Sequence, residues 1–175
     1  MSNTSSRADI TAGLSELLRR RLRNEGRRFA AEVRFENPAC RVDFVAFKAG
    51  ECGWRNIGGI EHGTTSFYEV KSCKEDYHSG NGLNFYGDEN WLVMPSQVCD
   101  GLRGKITTNA GVYVPVPNGS SAITEMEHPT PYTGQVDGWS LHVRWTPNCA
   151  CNTYRKYALV EILAAMIYAG VNRDA

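Results

Sequence analysis

The sequence predicts an α/β protein, a mixed central β-sheet flanked by helices. Three observations carry that expectation. An amphipathic segment opens the chain, with Leu14, Leu17, Leu18 and Leu22 at the i, i+3, i+4, i+8 spacing of one apolar stripe. Short runs rich in β-branched and aromatic residues follow, separated by Gly, Pro and Asn. The order is then helix, three strands, helix, strand, strand, which interleaves the two element types. At 175 residues the chain has the length of one domain, 1–175, able to bury a core without staples.

The first helix is expected over Asp9–Asn24, where Ser6 followed by Asp9 resembles a capping box and Asn24-Glu25-Gly26 provides the stop. Arg28–Phe35 alternates Phe29, Ala31, Val33 and Phe35 with polar or small residues, the pattern of a half-buried strand. Asn37-Pro38 makes a turn into a second strand, Arg41–Lys48. Ala49–Gly63, with five glycines, reads as a loop or a weak extended hairpin before the third strand, Thr64–Lys71. Glu75–Tyr86 reads as a short helix or helix plus loop, broken at Gly80 and Gly82. Trp91–Met94 is a continuous apolar run, as expected of a central strand. Gly111–Pro115 reads as a fifth strand at the sheet edge, stopped by Pro115 and Pro117. An irregular insertion near 118–138 precedes a strand-like Trp139–Trp145. The last helix is expected over 152–169, its stripe of Leu159, Ile162, Leu163, Met166 and Ile167 serving the core or a homodimer seam.

Within this frame a few polar residues stand out. Residues two apart on a strand share a face, so Glu69 and Lys71 emerge side by side at the polar end of an apolar strand. A carboxylate for a divalent cation beside an ammonium for water or phosphate explains that placement; a salt bridge at a sheet edge is the alternative. Asp43 is the one acid among Val42, Phe44, Val45, Ala46 and Phe47, and supplies a second carboxylate unless it is an ion-pair partner for Arg41.

At these residues the chain resembles the PD-(D/E)XK nuclease superfamily, the restriction-endonuclease-like phosphodiesterases with an αβββαβ core. The pattern is a lone acid on one strand, here Asp43, then acid, any residue and lysine on the next, here Glu69-Val70-Lys71. Val42 stands where a proline usually precedes the first acid. Ser72-Cys73-Lys74-Glu75-Asp76-Tyr77 and Tyr86 to Pro95 also look like the small branch that includes bacterial repair proteins of the MmcB type, and the likeness covers roughly residues 8–115. The resemblance implies a Mg²⁺- or Mn²⁺-dependent DNA endonuclease of repair, recombination or phage DNA metabolism. It makes Asp43, Glu69 and Lys71 catalytic, and the carboxylates of Asp43 and Glu69 with the Val70 carbonyl ligands of the metal. Glu16, on the first helix, is a further ligand in this reading, or an exposed partner of Arg19 or Arg20. The same fold reused as an inactive DNA-binding or protein-binding module is the competing expectation.

Charge distribution fits a phosphate-binding partner better than net charge, which is zero. Residues 1–34 carry eight arginines against four acids, whereas residues 35–95 carry nine acids against five bases. Arg19, Arg20 and Arg23 on the helix are thus candidate contacts to DNA, with Lys74, Tyr77 and Gln97 just after the strands. Six cysteines include one close pair, Cys149-Ala150-Cys151, a poor zinc signature, and free thiols are the preferred reading. No run approaches the roughly 20 apolar residues needed to span a bilayer, and Met1–Ala8 lacks a signal peptide's apolar core, so no membrane partner and a cytoplasmic location are expected.

Overall fold

The structure of the protein, a computed structural model, describes residues 6–106, 109–120, 122–146 and 155–170. Its elements in chain order are α1 (Arg7–Asn24), β1 (Arg28–Glu36), β2 (Ala39–Lys48), α2 (Ile57–Glu61), β3 (Thr64–Val70), α3 (Lys74–His78), β4 (Glu89–Val93), α4 (Ser96–Gly101), β5 (Gly111–Pro117), α5 (Ala122–Glu127), β6 (Trp139–Trp145) and α6 (Leu159–Ala169). One six-stranded sheet runs in sequence order, β1-β2-β3-β4-β5-β6. β3 pairs parallel with β4 and β4 with β5; the other neighbours are antiparallel. The protein is therefore α/β with a mixed sheet flanked by helices. The leucine stripe of α1 packs on one face with Phe29, Phe44, Tyr68, Trp91 and Tyr113. Ile162 and Met166 of α6 cover Val45, Phe47 and Phe67 on the other face, and Val98 and Leu102 extend that layer over Leu92 and Val112.

The capping box at Ser6 and Asp9 is formed, and α1 ends before Gly26, whose φ of 66° suits a residue without Cβ. The helix plus loop expected over Glu75–Tyr86 is present: α3 stops at His78, and Gly80 and Gly82 take left-handed φ values of 72° and 75°. Four expectations about elements are corrected. The Ala49–Gly63 loop contains α2, and the 118–138 insertion contains α5. The last helix begins at Leu159; of the expected span, residues 152–154 lie outside the described residues and Arg155–Ala158 is not helical. Within it Ile167 is 71% exposed, so the packed stripe is Ile162 and Met166, with Leu159 and Leu163 half-buried.

The fourth correction concerns β5, which is not at the edge: it lies between β4 and β6 and runs through Pro115 to Pro117. Pairing with β4 ends at Tyr113, whose carbonyl accepts from the Met94 N–H at 3.1 Å. By alternation the backbone of residues 115 and 117 turns to that same side, where β4 has already ended. The N–H groups that proline lacks would have met no partner there, so the strand continues against β6 unharmed.

The β1–β2 hairpin changes face part-way along. Phe29 and Ala31 lie on the α1 side and Ala30 on the α6 side, yet Val33 and Phe35 join Ala30. On β2, Phe44 and Ala46 face α1, whereas Val45, Phe47 and also Val42 face α6. Strict alternation would not group 30 with 33, or 42 with 45. The switch falls between the pairs Ala31↔Phe44 and Val33↔Val42, at Glu32 and Asp43. Glu32 accommodates it with a φ of 54°, a left-handed conformation that costs a residue with a Cβ about 1–2 kcal/mol.

Candidate active site

β2 and β3 pair as Phe44↔Tyr68 at the end of their ladder, and one further step sets Asp43 opposite Glu69. Cross-strand neighbours share a face, so the two carboxylates stand side by side. Asp43 Oδ2 accepts from the Val70 N–H at 2.8 Å, closing the ladder with a side chain. Arg41 pairs instead with Glu32, at 3.3 Å. Lys71 continues β3 through its N–H to the Val93 carbonyl at 2.9 Å. Asp43, Glu69, Val70 and Lys71 all line one cleft of about 710 Å³.

The floor of the cleft is deeply set: Glu69 is 5% and Lys71 4% exposed. The Lys71 ammonium donates to the Asn81 carbonyl at 2.6 Å. Gly82 lies so close to Glu69 that a Cβ at this position would collide with the carboxylate. Glu69 Oε1 is sealed from water and has no hydrogen-bond partner. Burial pushes the Glu69 carboxyl up to about 9; the neighbouring Asp43 carboxylate adds to the rise, and Lys71 opposes it.

Of the other candidate metal ligands and DNA contacts, Arg19 reaches the cleft, with its guanidinium 5.1 Å from the centre of the Phe44 ring, and Arg41 and Asp76 line it as well. Glu16 does not: it pairs with Arg20 at 3.5 Å and Arg23 at 3.9 Å, the helix-surface pairing that was the alternative to a place beside the metal. The reason is helical phase. Residues 16, 20 and 23 form one ridge of α1, and Arg20 on it also reaches Asp137 at 3.3 Å, while Arg23 lies over Phe29. The neighbouring ridge, Arg7, Thr11, Ser15 and Arg19, is the one that faces the cleft. Lys74 lies against Gly101 of α4. Tyr77 is buried, its hydroxyl donating to the Lys105 carbonyl at 3.1 Å. Gln97 Nε2 donates to the Tyr132 carbonyl at 3.3 Å. None of Lys74, Tyr77 and Gln97 lines the cleft.

Several lining residues were not anticipated. Arg7 ties the start of α1 to the turn after β3, through Ser72 Oγ at 3.3 Å and Asp76 at 3.0 Å. Its i+4 continuation through Thr11, Ser15 and Arg19 is visible in the sequence beside the leucine stripe, and is the signal that would have found it. Asn81 and Gly82 carry no such signal, because they act through a backbone carbonyl and a missing side chain.

Among the described residues no three His, Cys, Asp or Glu side chains gather as a metal cluster. Cys40, Cys52, Cys73 and Cys99 are free, and Cys149 and Cys151 lie outside the described residues. No helix among the described residues is long and apolar enough to cross a membrane.

Comparison with family models and with curated proteins yields no match. A solved structure described as the SPO1766 protein of unknown function from Silicibacter pomeroyi is similar, with a TM-score of 0.51 and 14% identity over 89% of this chain and 80% of its own. At that identity the likeness speaks to the fold alone.

Proposed function

We propose that the protein is a metal-dependent DNA nuclease of the PD-(D/E)XK type. The observation that carries this reading is the meeting of Asp43, Glu69 and Lys71 in one cleft, with the Asp43 carboxylate beside Glu69 and no hydrogen-bond donor reaching the buried Glu69 Oε1. A carboxylate oxygen without a donor is costly unless a proton or a cation accompanies it. Two carboxylates and a backbone oxygen suit Mg²⁺ or Mn²⁺, which keep several waters and need no dense ligand cage. Asp43, Glu69 and the Val70 carbonyl would hold the ion. When bound, it would supply positive charge against the scissile phosphate and acidify water.

The protein's own groups then divide the work. Asp43, fixed by the Val70 N–H, gives the site its rigidity. Glu69 would give up its proton to become a ligand of the cation. Lys71, held over the floor by the Asn81 carbonyl, lies within reach of a phosphate or attacking water and balances the paired carboxylates. The order helix, three strands, helix, strand, with α2 interposed, agrees with the αβββαβ core of the resemblance.

The Lys71–Asn81 contact and the close cover of Gly82 over Glu69 also fit a second reading, an inactive nuclease-like module that binds DNA or protein. One assay separates the two. Supercoiled, branched and single-stranded DNA are incubated with Mg²⁺ or Mn²⁺ and wild type, Glu69→Gln or Lys71→Ala. The nuclease reading expects cleavage that falls by at least about 10²-fold in both folded variants. Absence of cleavage together with no Mn²⁺ binding by calorimetry would rule it out.

A further inference from the structure

We infer that the cleft takes DNA as an unpaired strand, a single strand or a flap, rather than as an intact duplex; this rests on the nuclease reading of the same site. The catalytic floor is the first ground. Glu69 and Lys71 lie at 5% and 4% exposure beneath raised walls, formed by α1 on one side and by the β1–β2 hairpin residues Ala39, Cys40 and Arg41 on the other. A duplex is a convex cylinder whose bulk on either side of each phosphate would meet those walls before the phosphate met the floor. A cleft of about 710 Å³ is of the size that encloses a ligand of a few rings, or a short run of one strand.

The second ground is how the walls are charged. Arg7 and Arg19 stand at the two ends of the α1 ridge, about 18 Å apart at 1.5 Å per residue. Arg41 stands on the opposite wall. One backbone threaded between them meets arginines on both sides, with Arg7 sharing its charge with Asp76 and Arg41 with Glu32, which also line the cleft; a groove edged by such side chains is what single-strand binders use. The third ground is what the lining lacks. Its aromatic ring, Phe44, is buried beneath Arg19, so no exposed platform selects a base. The strand is held through its phosphates, with little sequence preference.

The test separates occupancy from cutting. A labelled deoxyoligonucleotide, alone or annealed to its complement, is titrated with protein in Ca²⁺ and followed by fluorescence anisotropy. The single strand binds at least roughly tenfold tighter than the duplex. Arg7→Ala and Arg19→Ala each weaken it severalfold and lower the salt slope by about 0.7 for each phosphate no longer neutralised. Arg103→Ala, on an exposed arginine outside the cleft, leaves it unchanged. Duplex binding as tight as single-strand binding, no binding of either, or Arg7 and Arg19 variants no different from Arg103→Ala, overturns the inference. The same oligonucleotides in Mn²⁺ report cutting: single-strand binding without cleavage of any form strikes the nuclease reading alone, and efficient cleavage of the intact duplex strikes the inference alone.

Discussion

Among the described carboxyl groups, burial weighs most heavily on Glu69. Its folded carboxyl titrates near 9, far above the ordinary 4.5, so the folded state holds a proton that the unfolded chain has released. The metal-free protein therefore has its full Glu69 contribution below about 4.5 and loses it as pH rises towards 9. Between pH 6 and 8 we expect a loss on the order of 2–3 kcal/mol, which Glu69→Gln abolishes while raising the melting temperature at pH 8; chemical denaturation at the two pH values and a melt at pH 8 check it. On the proposed nuclease reading Mn²⁺ would have to displace that proton, so its affinity should rise over the same interval, readable by calorimetry in two buffers. The acid–x–lysine pattern was legible in the sequence because period two alone aligns residues 69 and 71. Their depth was not, since it depends on Gly82 and Asn81, which are brought over the strand by tertiary packing. Gly82→Ala is expected to cost about 1–3 kcal/mol, because a φ of 75° and the Glu69 carboxylate both oppose a Cβ. Thermal melts with and without Mn²⁺ check it.

Among the elements, the β1–β2 hairpin sets where Asp43 stands. Glu32→Gly removes a strained Cβ at φ 54° and forfeits only an exposed ion pair with Arg41, so it should stabilise the protein by roughly 0.5–1 kcal/mol and leave Mn²⁺ affinity intact. Glu32→Val, β-branched, should cost about 1–2 kcal/mol and weaken Mn²⁺ binding by shifting Asp43. Denaturant titration and calorimetry on the pair decide it. The sequence concealed this switch for a physical reason. Phe29, Ala31, Val33 and Phe35 alternate regularly, but both faces of the sheet are buried, so an apolar residue is at home on either side and the pattern cannot register a change of parity. The helix α1 shows the converse. Its leucine stripe fixed the buried face from sequence, yet which polar ridge meets the cleft depended on where the hairpin rises, and the choice of Glu16, Arg20 and Arg23 over Arg7 followed from that gap.

At the scale of the whole molecule, the sheet lies between α1 and α6, and in each cover the inner side chains rather than the outer ones carry the stability. Leu18 of α1 is fully buried at the centre of one layer, and Leu18→Ala should cost about 2–5 kcal/mol. Ile167→Lys on the outer side of α6 should stay within about 0.5 kcal/mol in the monomer. Equilibrium unfolding of both variants tests the contrast. The mixed sheet itself was legible because strand signals and helix signals alternate along the chain; β5 was misplaced because prolines usually mark an edge.

The two prolines of β5 have a consequence beyond its placement. Beyond the end of β4, Pro115 is buried and Pro117 half-buried, so the side to which they turn is covered and they bring no hydrogen there. Replacing both with threonine would set two donors against that covered side. The altered protein should then unfold at lower denaturant concentration, each amide left without an acceptor costing about 1–3 kcal/mol.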